Sequence, residues 1–139
     1  MNRSTITLPL ALTATFLLAG SADAATKNGI TPVSPKAGKS VPAGESPTFK
    51  AKVKGPGTVW FHVCDSAKKD KDGLICHEAS IGQGKKSGGT YKYTPELFDF
   101  PEFWLNNPGT YYWQAHRINC TVGSSDCRKE GPVVKFKVA

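Results

Sequence analysis

Between residues 48 and 54 the chain alternates without a break: Phe49, Ala51 and Val53 fall on one side, Lys50, Lys52 and Lys54 on the other. A period of two marks a strand with one face in a core and the other in water. The same alternation returns in TVWFHVC (58–64), with Val59, Phe61 and Val63 inward and Trp60, His62 and Cys64 outward. It returns in TYYWQAHRIN (110–119), which turns Tyr111, Trp113 and Ala115 inward and Tyr112, Gln114 and His116 outward. In PVVKFKV (132–138), Val134, Phe136 and Val138 alternate with Lys135 and Lys137. Shorter strands are predicted near ICHEASIG (75–82) and in GGTYKYTP (88–95), where Tyr91 and Tyr93 point inward. Residues 30–46, rich in Pro, Gly and Ser, read as a leading edge strand broken by turns. The aromatic stretch ELFDFPEFWLNNPG (96–109) reads as a packed crossover with one helical turn around 101–105. About seven short strands separated by turn signals, with no long helix, predict an all-β antiparallel sandwich or barrel.

The first residues break this pattern. Arg3 is followed by an apolar run from Ile6 to Ala19 and by the small residues Ala22 and Ala24. That order of charge, apolar run and small residues is a secretory signal, with the cut expected between Ala24 and Ala25. The run contains Pro9 and falls short of the roughly 18 apolar residues that a spanning helix needs. The expected organisation is therefore a signal peptide over 1–24 and one domain over 25–139, its core at about 30–139.

Charge and cysteines then narrow the setting. The chain carries a formal +7, all of it kept by the mature domain because Arg3 and Asp23 cancel. Such an excess suits anionic partners and also serves solubility. The four cysteines, Cys64, Cys76, Cys120 and Cys127, all follow the predicted cut, so an exported protein with two disulfides is expected. Three connectivities are open at this point. A four-thiolate zinc site is disfavoured because the cysteines are not arranged as C-x2-C knuckles.

The tail PGTYYWQAHRIN…GPVVKFKV resembles the last two strands of fibronectin type III and related immunoglobulin-like domains of bacterial secreted proteins. The opening TPVSPKAGKSVPAGESPTFKAKV is similar to their first two. The resemblance spans about residues 30–139, tighter at the ends than in the middle; Phe49 stands where that pattern usually has Trp, and the cysteines are additional. It implies an antiparallel immunoglobulin-like sandwich, with Tyr111 placed as a tyrosine corner whose hydroxyl binds nearby backbone. It also makes the strands ending at Cys64 and Cys120 antiparallel neighbours. Those two cysteines then lie at opposite poles, too far apart for a bond, whereas the local pairs Cys64 with Cys76 and Cys120 with Cys127 each close a hairpin at one pole. Each pair would clamp one loop, for roughly 2.5 to 3 kcal/mol apiece.

No convergent nucleophile, base and acid emerges from the sequence, and neither Gly-x-Ser-x-Gly nor His-Glu-x-x-His occurs, so no catalytic residue, metal or cofactor is assigned. The loop DSAKKDKDG (65–73) gathers Asp65, Asp70 and Asp72. It fails the EF-hand count, having Lys68 first and Ala79 twelfth, and reads instead as a solvated hairpin loop with an Asp-Gly turn. Asn119-Cys120-Thr121 is formally a glycosylation sequon with a cysteine at its centre. Two surfaces remain. Lys50, Lys52 and Lys54 form a stripe, joined by Lys92 if their strands pair, that suits an anionic ligand. On the opposite sheet Trp60, His62, Tyr112 and His116 form an outward aromatic row suited to sugar rings or a protein partner, unless a loop covers it. The expected function is a non-enzymatic secreted binding or structural module. Its partner would be an anionic wall polymer, a polysaccharide or a surface protein rather than nucleic acid. The alternative is a secreted inhibitor that offers the 65–75 or 121–126 loop to an enzyme.

Exported protein should begin at Ala25, since that cut alone places alanine at both peptidase-facing positions. N-terminal sequencing checks this, and a start several residues away removes the argument.

Overall fold

The computed structural model describes residues 25–76, 80–95, 104–122 and 127–139. The predicted signal peptide, most of the 96–109 crossover and the tip of the 121–126 loop lie outside them. In chain order the strands are β1 (Ile30–Ser34), β2 (Ser40–Val41), β3 (Phe49–Val53), β4 (Thr58–Cys64), β5 (Ser80–Gln83), β6 (Lys85–Ser87), β7 (Thr90–Tyr93), β8 (Gly109–Ile118) and β9 (Arg128–Val138). One 3-10 turn, Trp104–Asn106, precedes β8. A four-stranded sheet runs β1-β3-β7-β6, and a five-stranded sheet runs β2-β9-β8-β4-β5. All pairs are antiparallel except β2 with β9. This is the strand order of an immunoglobulin-like sandwich.

The nine strands among the described residues exceed the expected seven for two local reasons. The leading strand divides in two: after Pro32 and the cis Ser34–Pro35 bond the chain leaves β3, turns with Lys39 N–H donating to Lys36 C=O at 3.0 Å, and joins β9 as β2. Proline has no N–H for a ladder, so a strand interrupted this way continues most readily at another edge. The second addition is β6, which one residue separates from β5 in the other sheet. Gly84 makes that crossing. Its N–H donates to Val59 C=O at 2.8 Å, and a Cβ there would lie 2.7 Å from the Phe61 ring, so any larger residue would push the sheets apart.

Alternation places the core where the sequence predicts. Phe49, Ala51, Val59, Phe61, Trp113, Ala115 and Phe136 are all fully buried between the sheets. Trp113 packs at 5.7 Å from Phe49, edge to face, and at 6.0 Å from Phe61, while Phe49 meets Phe136 at 5.9 Å. Its indole N–H donates to Pro35 C=O at 2.9 Å, so one side chain joins both sheets to the turn between β1 and β2. Tyr111 donates its hydroxyl to Asn107 C=O at 2.9 Å, the corner that the resemblance implies.

Trp113→Ala should lower unfolding free energy by about 3 to 5 kcal/mol, through the cavity left beside the Phe49 and Phe61 rings. Urea denaturation followed by circular dichroism measures it; a loss below about 1 kcal/mol would mean that the site collapses around the gap.

Candidate functional site

The aromatic row on the outer side of the second sheet is not the exposed surface expected from the sequence. The register sets Trp60 opposite His116, His62 opposite Gln114 and Cys64 opposite Tyr112, so all six share one face as predicted. His62 and His116, however, are only 1% and 4% exposed, and Trp60 and Tyr112 are half-buried. Over Gln114, between them, the cover is the loop after β4. Cys64 is bonded to Cys76, and Leu74 and Ile75 beside that bond are buried. Within the loop, the Asp70 carboxylate accepts the N–H groups of Asp72 at 2.8 Å and Leu74 at 3.0 Å, while Asp70 N–H donates to Leu74 C=O at 2.9 Å. Asp70 thus shapes the turn that brings Leu74 and Ile75 down onto the sheet. The 65–73 stretch is largely exposed, as the sequence reading has it, and Leu74 and Ile75, which follow it, form the apolar base that lies on the sheet.

Gln114 fastens that lid. Its carbonyl oxygen accepts Ile75 N–H at 3.0 Å, and its amide nitrogen donates to Gly73 C=O and to Gly131 C=O, both at 2.9 Å. Beside it His62 Nε2 and His116 Nδ1 are 2.6 Å apart, so one imidazole donates and the other accepts. The lid also brings the two clamped loops together. A Cβ on Gly73 would stand 3.2 Å from the Glu130 side chain, and Lys69, Lys71, Asp72, Cys127 and Arg128 line one shallow depression of about 610 Å³. Cys120 is bonded to Cys127. Charges of both signs share this depression, so it presents no single field.

The lysine face is open. Lys50 stands directly opposite Lys92, which stands directly opposite Lys85 on β6. Beside this row a second crosses the sheet through Thr31, Lys52, Thr90 and Ser87. Lys52, Lys54, Lys85 and Lys92 are exposed and Lys50 is half-buried. None of the five has a carboxylate within ion-pair distance among the described residues; the ion pair found there, Lys27 with Glu130 at 2.9 Å, lies elsewhere. At Glu130 burial pushes the carboxyl up, but the hydrogen bond and charge of Lys27, with the charge of Lys69, hold it below its ordinary value.

Sequence reasoning brought Lys50, Lys52, Lys54 and Lys92 together correctly and missed Lys85, because three residues between Gly-Gln-Gly and Gly-Gly carry too little alternation to read as a strand. It also missed the role of Gln114. The available signal was the Leu74-Ile75 pair that follows an Asp-Gly turn in an otherwise polar loop.

Gln114→Leu removes three hydrogen bonds and leaves Ile75 N–H without its acceptor, each such buried group costing about 1 to 3 kcal/mol. Hydrogen exchange at the Ile75 amide should accelerate by more than tenfold while amides of β3 and β7 stay protected. Unchanged exchange at Ile75 would show that the disulfide alone holds the lid.

No protein-family model and no curated protein matches the chain. Among solved structures it is similar to fibronectin(III)-like modules of CbhA from Clostridium thermocellum, with 23% identity, a TM-score of 0.47, and coverage of 79% of this chain and 45% of that one. The chain thus spans under half the length of that structure. Its own strand order, with Tyr111 near the start of β8 bonded back to Asn107, is that of an immunoglobulin-like β-sandwich.

Proposed function

We propose that this chain is a non-catalytic, exported binding module that holds an anionic polysaccharide or wall polymer on the lysine face of its four-stranded sheet. The observation that carries this reading is the row Lys50, Lys92, Lys85. Like charges directly opposite on paired strands are destabilising, and here two such contacts adjoin with no carboxylate paired to them among the described residues. An anionic ligand turns that repulsion into attraction. Along β3, Lys50 and Lys52 project from one face about 6.5 to 7 Å apart, with the exposed Lys54 just past the strand's end, so the patch extends in two directions from Lys50.

The rest of the molecule is consistent with binding rather than catalysis. The histidine pair is buried, away from any substrate in solvent. The inhibitor alternative loses force because the 65–76 loop turns its apolar residues, Leu74 and Ile75, inward. Two disulfides fit an oxidising compartment.

The test is titration of heparin, teichoic acid and DNA at about 50 and about 200 mM salt, with wild type and with the Lys50→Gln, Lys52→Gln, Lys54→Gln triple variant. Each phosphate or sulfate contact releases counterions, so affinity for the anionic glycan should fall steeply with salt, and the triple variant should flatten the log–log slope by about 2 to 3. Equal binding by the variant would overturn the lysine face. Preference for DNA over both wall-type polymers would overturn the ligand class.

A further inference from the structure

The lysine row ends in a cleft. At the edge of the four-stranded sheet, where Gly84 carries the chain from β5 to β6, a depression of about 480 Å³ is lined by Gln83, Lys85, Lys86, Ser87, Lys92, Tyr93 and Thr94. Its walls come from both sheets: Gln83 from the five-stranded one, the remainder from β6, β7 and the residue after β7. That volume lies in the range of small-ligand sites. Lys85 and Lys92 both line it and are direct cross-strand partners, side by side on one face, so their ammonium groups can converge on one anionic group.

The other polar groups decide what kind of anion fits. Thr94 Oγ1 lies 2.7 Å from Thr48 Oγ1, and the Tyr93 ring is stacked on Phe61, so these two form wall rather than reach into the cleft. Gln83 and Ser87 are exposed beside the lysines. An amide and a hydroxyl each offer a donor and an acceptor. A bare sulfate or phosphate has only acceptors to give, and would leave the Gln83 carbonyl and the Ser87 lone pairs without use. A ring bearing both a carboxylate and hydroxyls uses every group, and its apolar C–H edge can rest against the half-buried Tyr93.

Resting on the polyanion reading above, we propose that this cleft is a subsite for one uronate residue of an acidic polysaccharide, its carboxylate held between Lys85 and Lys92 and its hydroxyls bonded by Gln83 and Ser87. The lysine row then guides the rest of the chain across β7 and β3. The face supplies charge, and the cleft supplies selection for a carboxylated sugar.

The experiment follows backbone amides by NMR while a uronate-containing tetrasaccharide, its carboxyl-reduced neutral counterpart and inorganic sulfate are titrated in turn into the oxidised protein. The tetrasaccharide should give saturable shifts at 83–87 and 92–94. Affinity should fall at least about tenfold for the neutral counterpart and for Lys85→Gln, as loss of a charge-assisted hydrogen bond predicts. Gln83→Ala should weaken the tetrasaccharide several-fold and leave sulfate unchanged. Both substitutions are at exposed positions, so the fold should tolerate them. Shifts spread evenly over all lysines, equal responses to sulfate and tetrasaccharide, or no effect of Gln83→Ala would each overturn the subsite. If heparin binding is nonetheless lost in the Lys50, Lys52, Lys54 triple variant, the polyanion face stands and the subsite alone fails. If wild type binds neither heparin nor the tetrasaccharide, both fail together.

Discussion

Burial of β8 on both faces is the constraint from which the rest of the molecule follows. Trp113 on its inner face touches Phe49 and Phe61 and bonds to Pro35. Gln114, the next residue, bonds on its outer face to Ile75, Gly73 and Gly131. Two adjacent residues thus tie together both sheets, the first turn, the disulfide-bonded lid and β9. A side chain between sheets is held by apolar area, about 1.5 to 3 kcal/mol for each large residue. A carboxamide under a lid is held differently, because every one of its buried hydrogen-bonding groups must find a partner. The first gives the sandwich its cohesion, and the second fixes where the lid lands.

The two outer faces of the sandwich have therefore been put to opposite uses. On the five-stranded sheet the groups able to recognise a ligand, His62, Gln114 and His116, are buried and turned to internal structure. On the four-stranded sheet nothing among the described residues covers or neutralises the lysines. Covering one face leaves the other as the broad open sheet surface, and it is the face on which like charges stand in register.

How far the sequence disclosed this follows from what periodicity measures. Alternation reports which side a residue takes, so the inward set and the outward lysines of β3 were legible, while the corner at Tyr111 came from the resemblance. It cannot report whether an outward side is covered, since a lid over a sheet leaves period two intact. Hence His62 and His116 lie on the face that alternation gives them, and whether that face is covered, left open by the sequence, is answered by their burial. β6 escaped for a different reason. Three residues hold less than two periods, and the strand exists only because β7 pairs with it once Gly84 has brought the chain across.

Edge protection is the competing account of the lysines, since charged residues on an edge strand discourage pairing with another chain. It explains Lys85 and Lys86, which lie on the outermost strand of their sheet. It does not reach Lys92, because β7 has β6 on one side and β3 on the other, nor Lys50 and Lys52, because β3 lies between β1 and β7. On such interior strands the backbone is already paired and needs no guard, while the cross-strand contact of Lys50 with Lys92 works against folding. Solubility does not account for the placement either, for the same charges scattered over loops would serve it without that repulsion. A ligand that supplies the missing negative charge accounts for both the interior position and the shared register.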